Sequence, residues 1–438
     1  MMLHGLDAFN SRRLREEDLS SRHSSFAVIS LGCARNTVDS QNIIAEFAGK
    51  GGVLTSLEKA DTVIVNTCAF IESAKRESID TILELEDLKA KGRIKKIIVA
   101  GCLSQRYGDA LASELKGVDG FIGVQPLTTS APQASVLLTP AHYAYVKICE
   151  SCYNACSFCV IPRIKGKFVS RGMDEVLDDV RQLNARGVRE INFIGQDVTA
   201  YGLDIYGRRA LAELIANAAK VSSGWIRLLY AHPSHITDEL LEVMASYPVI
   251  CRYLDMPLQH VSDKILRQMN RPMTRAAISD LIVKIRRMVP GISLRTTFIT
   301  GFPGETEKDF RELLSFLEEH PFERVGVFIY SREEGTPAYD LPGRVSAKVA
   351  QRRYDALMKT QQGVAARLNA RLVGQTFKVL IDERAEGDET GYVGRSAFDA
   401  PEVDGVVYVR AKKPLCVGDF AMVRISGAMD YDLEGEAL

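Results

Sequence analysis

A chain of 438 residues, 46% hydrophobic and 25% charged, has the material for a sizeable core and for about three domains. Its formal net charge of -1 gives no whole-protein case for a polyanionic partner, and no apolar run reaches membrane-spanning length, so a cytoplasmic protein is expected. Nine cysteines without secretory features point to reduced thiols and metal ligation, not disulfides.

Residues 1–25 are polar and lack hydrophobic periodicity, which predicts a disordered lead; Glu16, Glu17 and Asp18 oppose a transit peptide. From Phe26 short apolar runs alternate with helical stretches. The runs 26–31, 62–67 and 96–101 read as buried parallel strands ending at Cys33, Cys68 and Cys102, with helices expected over 37–50, 73–90 and 107–116. Ligands of an open α/β sheet gather outside the carboxyl ends of its strands. Three cysteines distant in sequence are thereby brought together, and an iron–sulfur cluster with one iron free is expected there. Three unrelated buried cysteines are the plainer alternative, since cysteine is common in cores.

Residues 125–142, with Pro126, Pro132 and Pro140, read as a linker. A second α/β series follows, with strands expected at 145–148, 190–195, 225–230, 253–258, 294–300 and 324–330. Helices are expected over 174–186, 211–221, 238–246, 275–288 and 307–319. Six strand–helix units predict a parallel, barrel-like sheet with its active residues on the carboxyl rim.

Just after the first of these strands stands Cys152-Tyr153-Asn154-Ala155-Cys156-Ser157-Phe158-Cys159. Three thiolates at this spacing converge on one centre only from a loop, and thiolate sets select iron–sulfur clusters or zinc. A four-iron cubane on three cysteines keeps one iron open for chemistry. Cys149 makes a C-x-x-C with Cys152, so a zinc quartet of Cys149, Cys152, Cys156 and Cys159 stands beside that reading, although zinc ribbons normally split their ligands into two distant pairs.

The run Arg163, Lys165, Lys167 and Arg171 reads either as a nucleic-acid patch or as partners of nearby carboxylates. On the rim, Gly195-Gln196-Asp197, Gln259-His260 and Gly301-Phe302-Pro303-Gly304 are polar or glycine-rich, and glycine lets backbone approach a ligand. His260 reads as a rim residue, and His232 and His235 as structural.

A helix over 351–371 leaves this core, and the short glycine-split runs 377–381, 391–393, 406–409 and 420–425 predict a small β-barrel. Residues 372–438 hold thirteen acidic and seven basic side chains, a net of -6. Such a surface repels nucleic acid and attracts a basic protein.

The C-x-x-x-C-x-x-C loop directly after Tyr145-Val146-Lys147-Ile148 resembles the radical S-adenosylmethionine superfamily. Gly32-Cys33-Ala34-Arg35-Asn36, Asn66-Thr67-Cys68 and Ala100-Gly101-Cys102 ahead of it resemble the amino-terminal domain of the methylthiotransferases, and the small barrel resembles a TRAM domain. The resemblance implies three domains: 26–136, an open parallel-sheet methylthiotransferase domain; 137–371, a partial (β/α)6 radical core open on one side; and 372–438, the TRAM barrel. It implies two 4Fe-4S clusters. The one on Cys152, Cys156 and Cys159 generates a 5′-deoxyadenosyl radical from S-adenosylmethionine, and the one on Cys33, Cys68 and Cys102 delivers sulfur.

It further implies a cofactor pocket lined by Gln196, Arg295 and the turn of Gly301 and Gly304, with Arg295 on the cofactor carboxylate or, equally, in a structural salt bridge. An electron donor and a sulfur source are implied as partners. The family carries a small residue at Cys149 and glycine at Ser151, two departures here. Asp197 after Gln196, and the segments 66–74, 326–336, 394–396 and 399–405, match the branch that modifies the β-carbon of an aspartate in the twelfth protein of the small ribosomal subunit, a basic protein. The tRNA adenosine branch is the near alternative, and a non-catalytic metal-stabilised RNA-binding module is the alternative of another class.

Overall fold

The computed structural model describes residues 25–127 and 136–438. The expected lead up to residue 24 and the 128–135 part of the linker lie outside the described residues. Ser25, assigned above to the lead, already pairs in β1 (Ser25–Ser30). With β2 (Val53–Leu54), β3 (Thr62–Thr67), β4 (Lys96–Gly101) and β5 (Gly120–Phe121), it forms a parallel sheet ordered β2-β1-β3-β4-β5.

Both faces of this sheet are covered, which is why its strands read as continuous Val/Ile runs. Ile64 and Ile98 pack against Ile43 and Ile44 of α1 (Ala34–Gly49). Val63, Val65, Ile97 and Val99 pack on the other face against Ile82 and Leu85 of α2 (Glu72–Ala90) and Leu103 of α3 (Cys102–Glu114).

The second sheet consists of β6 (Tyr143–Lys147), β9 (Glu190–Ile194), β10 (Trp225–Leu228), β11 (Ile250–Asp255), β12 (Ser293–Thr300) and β13 (Arg324–Ile329), all parallel and in chain order across the sheet. Between them, an antiparallel ribbon of β7 (Cys149–Glu150) and β8 (Val169–Ser170), missed in sequence, pinches the base of the cysteine loop, which runs into the short α4 (Ile161–Lys165). Helices α5 (Met173–Ala185), α6 (Leu211–Val221), α7 (Asp238–Ser246), α8 (Asp263–Gln268), α9 (Arg275–Met288) and α10 (Glu307–Glu319) contribute to the outer core, and α11 (Ala347–Ala370) packs on it through Leu357. The strand expected at 253–258 begins and ends earlier. Pro257 has no N–H to donate to a ladder, so residues 256–258 form the rim turn instead.

The terminal domain is a closed barrel ordered β14-β15-β16-β18-β17, built from β14 (Thr376–Arg384), β15 (Gly391–Ser396), β16 (Val407–Arg410), β17 (Phe420–Ala428) and β18 (Leu433–Ala437). β18 was not expected. It closes the barrel by pairing parallel with β16 and antiparallel with β17.

The barrel docks on the inward faces of the second sheet. Glu190 accepts from Arg227 at 2.8 Å and from Arg395 at 2.6 Å, Asp399 pairs with Arg324, and Asp404 accepts from Arg295 at 3.2 Å and from Tyr253 at 2.6 Å. The outward charge of this domain is therefore weaker than its composition implies, because Asp399 and Asp404 face arginines of the second sheet. A buried guanidinium without a carboxylate would be costly.

Candidate active site

All six expected cysteine ligands line one cavity of about 450 Å³. Cys33 precedes α1, Cys68 follows β3 and Cys102 opens α3; these positions adjoin because β1, β3 and β4 are neighbours in register. The approach is close. Gly32 has φ +95°, and a Cβ there would lie 2.8 Å from Cys68 Cβ and 3.2 Å from its Sγ.

Cys152, Cys156 and Cys159 enter from the facing side on a pinned loop. Ser157 donates its N–H to Met269 O at 2.9 Å and its hydroxyl to Gln268 O at 2.7 Å, and Asn270 donates to Ala155 O at 2.7 Å. Ser151 adopts φ +67°, the conformation for which glycine is the unstrained choice, and its hydroxyl donates to Gly166 O at 2.7 Å.

Cys149 does not join this set. It is fully buried in β7, and its thiol donates to Asp197 O at 3.5 Å. Among the described residues no three His, Cys, Asp or Glu side chains close on a single ion. Cys149 thus stands apart from the other three cysteines of the expected zinc quartet, which line the cavity.

Burial would raise the Cys33 thiol, but the Arg35 guanidinium, whose Nε lies 3.4 Å from Sγ, with the N–H groups of Asn36 and Arg35, holds it below the ordinary range. Burial pushes Cys102 and Cys159 up to about 12 and Cys152 up to about 11. Such thiols stay protonated until a metal displaces the proton.

Of the expected cofactor residues, Gln196 lines the cavity, with Oε1 buried and without a partner among the described residues. Arg295 does not reach it; it pairs with Asp255 at 3.3 Å and with Asp404, tying the second sheet to the terminal barrel. Gly301 lies in a separate 210 Å³ pocket with Arg332 and Arg344, and Gly304 bonds to Gly343 O. Neither turn glycine lines the cysteine cavity. Two other arginines do: Arg35, beside Cys33, and Arg271, which donates to Pro257 O at 2.6 Å and to Cys156 Sγ at 3.6 Å.

The two histidines of 232–235 part company. His235 is tied to Asp197 at 3.1 Å, whereas His232 lines the cavity with both ring nitrogens buried and without a partner among the described residues. Burial, with Arg271 nearby, lowers His232 to about 3, so the ring is neutral. His260 is fully buried, accepts the Ser262 N–H at 3.0 Å and does not line the cavity. Half of the basic run is tied to carboxylates: Lys165 pairs with Asp39 at 3.0 Å and Glu150 at 3.5 Å, and Arg171 with Asp179 at 2.7 Å, whereas Lys167 is exposed.

These residues fit a polar guest beside a thiolate-held cluster. Gln196 Oε1, Gln259 Oε1 and both His232 nitrogens are buried on the lining of one cavity without hydrogen bonds among the described residues, and such groups demand partners. Strain gathers here too. Tyr230 and Gln259, which line the cavity, and Ser151, which opens the loop, hold left-handed φ values of 68°, 72° and 67°.

Comparison with known proteins matches three regions of the chain: residues 25–123 to the Uncharacterized protein family UPF0004, 146–317 to the Radical SAM superfamily and 373–438 to the TRAM domain. The chain is 43% identical to "Ribosomal protein uS12 methylthiotransferase RimO" of Desulforamulus reducens, over 94% of this chain and 99% of that one. It is 44% identical to the protein of the same name in Geobacter sulfurreducens, over 96% and 100%. The chain belongs to the RimO family. Outside the RimO family, the solved radical S-adenosylmethionine methyltransferase TsrM from Kitasatospora setae shares the fold, with a TM-score of 0.53 at 16% identity over 73% of this chain and 75% of that one.

Proposed function

We propose that this protein is a radical S-adenosylmethionine methylthiotransferase that adds a methylthio group to the β-carbon of an aspartate in ribosomal protein uS12. The observation that carries this reading is the convergence of two sets of three cysteines, from two different sheets, on one cavity. The substrate is supported by the names of relatives 42–45% identical over nearly the whole chain. On this reading Cys152, Cys156 and Cys159 hold one 4Fe-4S cluster and Cys33, Cys68 and Cys102 a second, and an electron donor and a sulfur source serve them. The functional domains are 26–136, 137–371 and 372–438, working in the cytoplasm. No helix among the described residues is long and apolar enough to cross a membrane.

When bound, the clusters and S-adenosylmethionine supply the carbon radical and the sulfur. The chain's own residues bind, orient and exclude water. Gln196, Gln259, His232 and Arg271 offer the polar lining for the cofactor's amino acid part, with Arg271 in the role expected of Arg295. Asn154 donates to Cys152 Sγ at 3.3 Å and to Asp197 at 2.8 Å, fixing that thiolate's orientation. Phe70, Ile71, Phe158 and Phe328 supply apolar lining, which keeps water from a reactive carbon.

The test is a separation of the two thiol sets. In anaerobically reconstituted protein, Cys156→Ala stops production of 5′-deoxyadenosine, whereas Cys68→Ala still produces it but yields no methylthiolated product. Methylthiolated uS12 from Cys68→Ala would remove the sulfur role of the first set. Mass spectrometry of uS12 and of tRNA after incubation with the wild-type protein decides the substrate; mass gain on tRNA alone would refute the aspartate reading.

A further inference from the structure

Three cations line the cavity: Arg35, Lys165 and Arg271. Lys165 is matched by Asp39 and Glu150. Among the described residues neither Arg35 nor Arg271 has a carboxylate within salt-bridge distance; Glu150, which acts on Arg35 from further off, is already held by Lys147, Lys165 and Gln196. Each of the two arginines touches one thiol, Cys33 for Arg35 and Cys156 for Arg271, and without a carboxylate partner each can still receive an anionic guest in a low-dielectric space.

The proposed reaction brings two carboxylates into the cavity, that of S-adenosylmethionine and that of the reacting aspartate. The arginines are not equivalent with respect to the thiols. Arg271 touches Cys156 Sγ at 3.6 Å, on the side proposed to hold the cofactor. Arg35 touches Cys33 Sγ at 3.4 Å, on the side proposed to deliver sulfur. Arg35 is also held in advance of any guest: Nη1 donates to Gly195 O at 3.0 Å, and the guanidinium lies 4.2 Å from the ring centroid of Tyr230. Those contacts use Nε, one N–H of Nη1 and one face of the plane. Nη2 keeps both of its protons without a protein acceptor among the described residues.

We propose that Arg35 is the receptor for the carboxylate of the substrate aspartate, and so a specificity-determining residue of the reaction. The inference rests on the aspartate reading given under Proposed function. The carboxylate carbon is bonded directly to the β-carbon, so a carboxylate held on Nη2 sets the acceptor carbon one bond away, on the sulfur side of the cavity. A nucleobase has no anionic group bonded to a reacting ring carbon, and a site that leaves a buried donor unpaired rejects such a guest strongly.

The experiment measures binding, by the reconstituted holoenzyme, of uS12 and of uS12 with the modified aspartate changed to asparagine. The wild-type protein is expected to bind the aspartate form about tenfold tighter or more, the range of a charge-assisted pair. Arg35→Met is expected to bring that ratio close to one, and Arg35→Lys to retain part of it, because a point charge replaces the fork. Iron content verifies cluster loading of each variant; if Arg35→Met does not load, the wild-type ratio and Arg35→Lys decide. Equal binding of both forms by the wild type, or equal weakening of both in Arg35→Met with the ratio preserved, would overturn the role of Arg35 and leave the substrate reading standing. Failure of the wild type to bind either form would overturn the substrate reading and this inference with it.

Discussion

At Gly32 and Gly101 the backbone takes φ values of +95° and +92° immediately before Cys33 and Cys102, and at Gly32 the space for a side chain is already filled by Cys68. Gly32→Ala therefore pays a left-handed penalty of roughly 1–3 kcal/mol and displaces Cys68. The expected outcome is loss of about half the iron of reconstituted protein, from about eight to about four atoms per chain on the two-cluster reading, with S-adenosylmethionine cleavage retained. The six cysteines were legible because each carries a local mark, a strand end or a fixed spacing. Arg271 and His232 were not. Arg271 sits in the short connection between α8 and α9, and its partners Pro257 and Cys156 come from other elements, so no local pattern marks it. His232 and His235 are alike in sequence and differ only in which one meets Asp197.

At the scale of elements, three helices that begin where expected carry side-chain caps, although the uncapped α6 is also read correctly and the capped α11 starts ahead of the expected residue 351. Thr237 accepts from Leu240 N–H, Thr274 from Ala277 N–H, and Thr306 with Asp309 forms a capping box, and the helices they open begin where expected. α3 has no such signal. It starts at Cys102 behind Gly101 and passes a non-helical Tyr107, where the periodicity alone had placed its start. β18 escaped because Glu434 and Glu436, on its exposed face, mask the Leu433 and Gly435 that close the barrel. The strands of the second sheet carry a further load, since their inward faces hold arginines. Arg227 and Glu190 are both fully buried, and removing one member of such a pair leaves a charge with too few partners. Arg227→Met is expected to cost about 3–5 kcal/mol in urea unfolding, although Arg395 still reaches Glu190.

Across the whole molecule, the terminal barrel is held to the second sheet by carboxylates whose ionisation sets a pH limit. Burial acts to raise Asp382, but hydrogen bonds from His142 and Arg395 outweigh it and leave its carboxyl below the usual aspartate range. A depressed folded value contributes stability that is complete above the unfolded value, near 3.8, and is lost as pH falls through the folded one. Trp225, the single tryptophan, packs edge-on against Phe420 of the terminal barrel at 4.7 Å. Its fluorescence is expected to report separation of the barrel below about pH 4, with Asp382→Asn shifting that transition toward neutral pH. An unchanged midpoint in the variant would count against Asp382 as the hinge of acid sensitivity.

The other seam has a different character. Asp39 belongs to the first sheet's α1, and Lys147, Glu150 and Lys165 to the cysteine-loop side, so the two charge pairs that cancel together are split unequally between the halves. A chimera that grafts a relative's amino-terminal half onto this body through the 125–142 connection inherits the balance only if the graft carries an acid at position 39. Otherwise Lys147 and Lys165 lose one of the two carboxylates they share, and the hybrid is weakened at its junction however well each half folds alone.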